Sequence, residues 1–472
     1  MTEESLPQLP IALLELLHPS GTARSLVLDN GGHDAERHAD LVVVAPAAAT
    51  DRHTPISPAA AAATASASLA EGGVVYVFAS AAMRFRLLRR LSHEGLHPVA
   101  AFVHVRSPDG AELLVELDRA ALNYALAMLV HPNWRLRLVT RATARVAIAA
   151  AALLAPRVGV VVHRTGDRPP AAWLAAPEER PRSALILRRS RTNGRESHFV
   201  YSVGSRRLIV KVRDGAVERR QLEQHGAAAA RAGAVVATPV NLVEGPPGAA
   251  ALTLLQGLPA TTLLRRGRVD VGAVVERLTE WLQRWNVETA ARSVVTERML
   301  ENELLAHVRL LESTLRGGAR YRAWLEQQAR GWVGIDLPLV TAHLDLTMAN
   351  VLLTRDGGIA VVDWVEARGS SLPLVDFFYA AVDAAAAAGA SHDSVGGFRA
   401  CFAGGAHSAI VRTHELSLRD ALSVSKPVRD LCFHACWLHH AANEFRSRAA
   451  GPRPFTAIVE LVAADACAAA EL

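Results

Sequence analysis

Along the first third of the chain, short runs of β-branched and aliphatic residues alternate with stretches of helical period. Leu41–Val44 and Val74–Phe78 are continuously apolar and bounded by turn residues, which predicts strands buried on both faces, as in a parallel sheet. Arg84–Glu94 places Phe85, Leu87, Leu88 and Leu91 on roughly one face and is followed by Gly95, so it predicts a helix with a glycine stop. Val99–Val105 and Glu112–Leu117 are two further strand candidates, separated by Ser107-Pro108-Asp109-Gly110, a favourable turn sequence. Together they predict an α/β unit that ends in a hairpin.

The pattern breaks at Arg164–Arg182, where Pro169, Pro170, Pro177 and Pro181 stand among charged residues. Such composition prefers an extended, solvated backbone, which places the main domain boundary there. Beyond it, His198–Val203 and Leu208–Val212 alternate around Gly204-Ser205 and predict a second hairpin. Val351–Leu353 and Ile359–Val362 predict a third, turned by Asp356-Gly357-Gly358. After Asp376 the pattern is largely helical, and no internal repeat is evident.

Composition narrows the class. At 472 residues the chain exceeds one ordinary core, so two or three domains are expected. Half the residues are hydrophobic and 21% are charged, a soluble globular balance. The excess of 51 basic over 46 acidic residues gives a net charge of +5, spread along the chain. That tolerates an anionic ligand such as a nucleotide but is not a nucleic-acid footprint. Four cysteines in so long a chain make no disulfide framework and point to a reducing compartment. Met1–Pro10 carries two glutamates and no basic segment, unlike a secretory signal. The most apolar run, Val146–Ala155, ends at Pro156 and Arg157, too short to span a bilayer. A cytoplasmic location without membrane association is expected.

The residues that carry chemistry are His343-Leu344-Asp345-Leu346-Thr347-Met348-Ala349-Asn350 and, across the third hairpin, Asp363. A hairpin returns the chain to its starting end, so Asn350 and Asp363 are expected to meet there. One amide oxygen and one carboxylate at the mouth of a hairpin suit a hard cation such as Mg2+. Asp345, on the loop entering the first strand, is placed to reach a substrate hydroxyl. Phosphoryl transfer needs these parts: a metal to offset phosphate charge and a carboxylate to orient and deprotonate the attacking oxygen. His343 joins Asp345 in the catalytic set, more as a brace for the loop than in proton transfer. Histidine, aspartate and asparagine occur singly in many polar loops. The joint spacing H-x-D-x-x-x-x-N, with an aspartate thirteen residues later, is what separates this segment from them.

With these residues in place, "HLDLTMANVLL" and "VVDWVEARGSSLPLVDF" resemble the catalytic loop and metal motif of the aminoglycoside phosphotransferase and choline kinase family. Trp364 follows Asp363 as tryptophan follows the metal aspartate in that family. Leu344 departs from the pattern, standing where the family commonly has glycine, and Asp376 matches a downstream family aspartate expected to brace the loop or cap a helix. The resemblance covers about the last 290 residues of the chain. It implies a bilobal kinase-like α+β fold, with ATP as donor (GTP stays open), Mg2+ as cofactor and a small hydroxylated molecule as acceptor. On the nucleotide side, Lys211 at the end of an apolar strand would contact the α- and β-phosphates. Its carboxylate partner would be Glu218 or Glu223, and Glu223 is favoured by its spacing ahead of Pro239. Asn193-Gly194 through Ser197 would cover the phosphates without a glycine-rich signature. Leu254–Pro259, with Gln256 and Leu258, resembles the hinge that holds a purine.

The amino-terminal order "ADLVVVAP", "GGVVYVFAS", helix, "HPVAAFVHVRS", "AELLVELDR" resembles the second half of a class I methyltransferase fold. The cofactor half needs a glycine-rich strand-to-helix turn followed by an acidic residue, and Gly31-Gly32 lacks that spacing. A degenerate, partial Rossmann-like α/β module for docking or self-association is therefore expected. The domain plan reads 1–165 for this module, 166–182 linker, 183–258 amino-terminal kinase lobe and 259–472 carboxy-terminal lobe. In the last helices, Cys432, Cys436 and His439 or His440 recur at helical spacing. Buried cysteines and partly exposed histidines account for them better than zinc, whose structural sites usually draw on two elements. Trp437, His440 and Glu444 share a face and are candidates to line the acceptor pocket. The leading expectation is an ATP- and Mg2+-dependent O-phosphotransferase acting on a sugar, amino sugar, aminoglycoside or nucleoside. The rivals are a non-catalytic pseudokinase scaffold for a biosynthetic partner and a bifunctional methyltransferase–kinase.

Overall fold

The computed structural model describes residues 25–28, 39–44, 57–79, 81–106, 112–128, 158–164, 184–192, 195–203, 208–211, 214–240, 248–389, 392–447 and 453–469. The chain forms two compact units, Met1–Val217 with Pro239–Leu254, and Glu218–Thr238 with Leu255–Leu472.

The first unit is built on a sheet of eleven described strands. In chain order they are β1 (Ser25–Leu28), β2 (Ala39–Val44), β3 (Leu69–Phe78), β4 (His97–Arg106), β5 (Glu112–Glu116), β6 (Val158–His163), β7 (Ala184–Thr192), β8 (Arg195–Val203) and β9 (Leu208–Lys211). After β10 (Val235–Val236), which belongs to the second unit, come β11 (Pro239–Val240) and β12 (Ala250–Thr253). Their order in the sheet is β1-β2-β3-β6-β4-β5-β7-β8-β9-β12-β11. The first three are parallel, as their unbroken apolar runs predict. That arrangement stops at β3. The strand that the hydrophobic pattern missed, β6, inserts between β3 and β4 antiparallel to both, and every later pair is antiparallel.

Helices α1 (Pro58–Ser68) and α2 (Ala81–His93) pack against β2, β3 and β4, while α3 (Arg119–Met128) packs against β5 and β7. The serine before α1 accepts the Ala60 N–H, and α2 ends as expected at Gly95, whose φ of 76° lets Leu96 N–H reach back to Leu91. Val42, Val44, Val75, Val77, Leu87, Leu91, Val160 and Val162 form the core between helices and sheet. The hairpin of β4 and β5 is present, although its turn, like Gly31-Gly32 and the linker 166–182, lies outside the described residues. Contacts do not part the chain at 166–182: β5 pairs with β7 from Glu112 opposite Arg189 to Val115 opposite Ile186, so one sheet runs through both regions. Proline-rich composition favours an extended, solvated backbone, but it says nothing about which strands hydrogen-bond beyond it.

The second unit contains α4 (Gly215–Ala232) from Glu218 onward and two small sheets. Its later strands are β13 (Leu258–Pro259), β14 (Ala291–Val294), β15 (Asp336–Ala342), β16 (Val351–Leu353), β17 (Ile359–Val361) and β18 (Arg368–Ser371). They pair in the orders β10-β17-β16-β13 and β14-β15-β18. The long helices are α5 (Val271–Thr289), α6 (Gly318–Trp332), α7 (Val375–Ala388), α8 (Ser394–Phe402), α9 (Ser408–Leu422), α10 (Lys426–Arg446) and α11 (Pro454–Ala469). Three indoles form the heart of this unit. Trp281 and Trp285 of α5 stack with centroids 5.7 Å apart, and Trp364 meets Trp285 edge-on at 5.0 Å. Trp285 also donates through Nε1 to the Thr341 carbonyl at 2.6 Å, which ties α5 to the strand entering the site. Alanine keeps α7 slim enough to be buried among α5, α8 and α10. Among the described residues no helix is long and apolar enough to cross a membrane.

One tight spot tests the first unit. A Cβ on Gly159 of β6 would lie 1.9 Å from the hydroxyl of Tyr76, which is fully buried and bonded to His104 Nε2 at 2.6 Å. Gly159→Ala is expected to destabilise this unit by about 1–3 kcal/mol, read as a lowered midpoint in denaturant unfolding.

Candidate active site

The segment from His343 to Asn350 leaves β15 and enters β16 as an irregular loop, so its backbone polar groups need partners other than a ladder. Helix α7 supplies them. Asp376 accepts the N–H of His343 through one carboxylate oxygen at 2.7 Å and that of Leu344 through the other at 2.8 Å. Seven residues on, two turns along the same face, Asp383 accepts the Met348 N–H at 2.6 Å. His392 also contacts Asp383, with Nε2 at 3.2 Å. Asp376 is 4% exposed, and burial pushes its pKa up to about 6 although both N–H donors act the other way. Leu344 has a φ of 63°. The loop therefore takes the left-handed turn that glycine would allow freely, with leucine in its place.

Asp345 and Asn350 are joined directly. The Asn350 amide nitrogen donates to the Asp345 carbonyl at 2.9 Å and to its carboxylate at 3.1 Å, which leaves Asn350 Oδ1 as the acceptor of that amide. The expected hairpin follows, with Val351 opposite Val361 and Leu353 opposite Ile359, and Gly357 at φ 86° in its turn. Val362 N–H donates to the Asn350 carbonyl at 3.0 Å, so the chain does return to the mouth where Asp363 begins the next segment. Asp363 is itself left-handed, φ 67°, and leads into the short 3-10 turn Trp364–Glu366. Burial, then the Asp363 carboxylate, push the pKa of Asp345 up to about 7, with Glu366 and Asp383 adding to the effect and the Asn350 hydrogen bond opposing it. A carboxylate poised near neutrality beside a second carboxylate and an amide oxygen is an arrangement for proton acceptance next to a cation.

Residues 188–409 match the model of the phosphotransferase enzyme family. No curated protein matches the chain. Among solved structures the chain is similar to a thermostable aminoglycoside phosphotransferase, APH(4)-Ia, in ternary complex with ADP and hygromycin B. The identity is 16%, covering 60% of this chain and 92% of that one, with a TM-score of 0.39. It is also similar to the macrolide 2'-phosphotransferase MphH from Brachybacterium faecium, at 17% identity over 60% of this chain and 91% of that one, with a TM-score of 0.37. A third is a choline/ethanolamine kinase family protein from Mesorhizobium loti, at 19% identity over 58% and 85%, with a TM-score of 0.33.

Within the matched segment, His343 ties the loop to the hairpin mouth. It is fully buried, its Nε2 donates to the Val362 carbonyl at 3.0 Å, and its Nδ1 accepts from Asp345 N–H at 3.3 Å. Both ring nitrogens are thus engaged with the two halves of the motif. The two glutamate candidates lie in different surroundings. Glu223 is half exposed and paired with Arg219 one turn away at 2.7 Å, whereas Glu218 is 1% exposed and accepts the Trp364 N–H at 3.1 Å. Spacing to Pro239 does not reveal which helix face is buried, and the face decides. Lys211 ends β9 with 7% exposure, its ammonium 6.0 Å from the Phe199 ring centroid. Ser197 belongs to β8, opposite Ser190. Gln256 is exposed, and Leu258 opens β13 opposite Leu353.

The acceptor candidates fare unevenly. Trp437 is wholly buried against Phe398, Phe402 and Phe433, and Glu444 accepts the Phe455 and Thr456 N–H groups that start α11. Neither faces an acceptor. His440 stacks on Tyr379 at 3.7 Å. Cys432 and Cys436 are buried thiols with raised pKa values, the first pushed to about 12, and Cys436 donates to the Val375 carbonyl. A crevice of about 10 Å3 beside Leu344, Asp376, His439 and His440 has room for roughly one water. Sequence reasoning had no reason to single out Asp383; its signal is a second aspartate at i+7 within an alanine run.

Two substitutions probe the braced loop. Asp376→Ala leaves one buried and one partly buried N–H group without acceptors and is expected to cost about 2–5 kcal/mol in denaturant unfolding. Leu344→Gly is expected to raise stability by up to about 1 kcal/mol by relieving the left-handed backbone, measured the same way.

Proposed function

We propose that the carboxy-terminal part of this chain transfers the γ-phosphoryl group of ATP to a hydroxyl of a small metabolite, with Mg2+ as cofactor. The acceptor class is a sugar, amino sugar, aminoglycoside or nucleoside. The observation that carries the reading is Asp345, hydrogen-bonded by Asn350 and facing the charge of Asp363, in a loop whose backbone is fixed by Asp376. Its carboxylate takes the proton of the acceptor hydroxyl as that oxygen bonds to the γ-phosphorus. The bond from phosphorus to the bridging oxygen breaks, and ADP leaves with its electron pair. Asn350 Oδ1 and the Asp363 carboxylate fit a hard cation, because both are oxygen donors and the amide orientation is set by its bonds to Asp345. Mg2+ bound there supplies positive charge for the phosphates.

In this reading Lys211 contacts the nucleotide phosphates, the Gln256–Leu258 segment receives the base, and Glu218 supports the metal motif through the Trp364 amide. The working unit is 183–472, with lobes 183–258 and 259–472, and it contains the family match at 188–409. Residues 1–165 serve docking or self-association in a soluble, cytoplasmic protein. The alternative reading is a non-catalytic pseudokinase scaffold for a biosynthetic partner.

ADP release from ATP·Mg2+ or GTP·Mg2+ over a panel of hydroxyl acceptors, including hygromycin B, a macrolide, choline and glycerol, tests the activity. Asp345→Asn is expected to slow turnover about 100- to 10,000-fold with calorimetric ATP affinity retained, and unchanged turnover would refute the base assignment. The reactive form is the carboxylate, so kcat/KM rises with pH along an acid limb. Its midpoint falls between about 4 and 7, because a cation on Asp363 opposes the like-charge contribution to the raised value. Asp345→Asn abolishes that limb.

A further inference from the structure

Helix α7 carries a third side chain on the stripe that faces the loop. Tyr379 lies three residues after Asp376 and four before Asp383, so the helical repeat sets it between them. Those two aspartates grip the loop at Leu344 and Met348, and the reactive Asp345 lies within that span. Its ring is locked. The imidazole of His440 stacks on it with centroids 3.7 Å apart and planes within 14°, and Phe455 flanks it at 5.8 Å.

The hydroxyl is treated differently. Tyr379 is only 8% exposed, yet its hydroxyl makes no hydrogen bond with any described residue and is not among the sealed polar atoms. A buried phenol normally finds a partner. The pKa is raised well above the usual phenol value by burial and then by the charges of Asp345, Asp383 and Cys436, so this oxygen keeps its proton and remains a donor. His440 is held well below its usual pKa by burial and by His439, so the stacked ring is neutral and does not compete as a cation.

We propose that Tyr379 is a specificity-determining residue that donates a hydrogen bond to an acceptor oxygen adjacent to the hydroxyl presented to Asp345. A donor beside a proton acceptor matches two neighbouring oxygens of one molecule, one accepting from Tyr379 and one donating to Asp345. The class selected is a vicinal diol or polyol, such as a sugar ring, over an alcohol with a single oxygen. This deepens the phosphotransfer reading above and rests on it.

The test uses the full chain with ATP·Mg2+, with glycerol and 1-propanol as paired acceptors, quantifying each phosphate ester and free phosphate. The wild type is expected to favour glycerol in kcat/KM by at least about 10-fold, and Tyr379→Phe, which keeps the stacked ring, to lower that ratio about 10- to 100-fold. Both alcohols are measured on one preparation, so the ratio does not depend on the folded fraction. A Tyr379→Phe enzyme that keeps the full preference overturns the inference, as does a wild type with no preference. Phosphate release to water without any ester overturns it while leaving the Asp345 chemistry standing. No ADP release in any arm, including the wider panel, overturns the phosphotransfer reading itself.

Discussion

Two buried carboxylates on one helix hold the loop on which the chemistry depends. Asp376 and Asp383 accept backbone N–H groups of His343, Leu344 and Met348, groups that an irregular loop cannot satisfy by itself. The exchange works in both directions, because an ionisable group buried without hydrogen bonds is costly and so is an orphaned amide. A left-handed leucine persists where it does because both oxygens of Asp376 fix the backbone around it. The loop is thus positioned by a helix through three backbone hydrogen bonds.

Charge within the site is arranged around an expected cation. Asp345 faces Asp363 with burial on its side, and Asn350 bridges the two ends of the loop through its amide hydrogens. The metal motif is anchored from behind, where Trp364 packs into the indole cluster of α5 and its amide donates to Glu218. His343 links the same pieces through both ring nitrogens. Loop, hairpin mouth and helix α4 therefore form one connected polar set backed by aromatic core.

Much of this was legible from local pattern. The hairpin between Asn350 and Asp363 follows from Asp356-Gly357-Gly358 between two apolar triplets, and α2 from its spacing and Gly95. The choice between Glu218 and Glu223 was not legible. Both lie on α4, and only packing makes one 1% exposed and leaves the other beside Arg219 in solvent. Likewise Trp437 and Glu444 share a helical face in sequence, but one is core and the other caps α11. Helical periodicity says which residues are neighbours on a helix, not what the rest of the chain lays against them.

By itself the sequence determined the candidate groups, their order, and the turn that brings Asn350 and Asp363 to one end of a hairpin. These depend on residue type and short-range geometry, which the chain carries locally. Only the tertiary structure decided what stands behind those groups. Asp383 lies more than thirty residues from the loop it holds, and its contact comes from packing a helix across that loop. The strands from Ala184 onward join the amino-terminal sheet for the same reason: strand pairing is a long-range contact that composition does not encode.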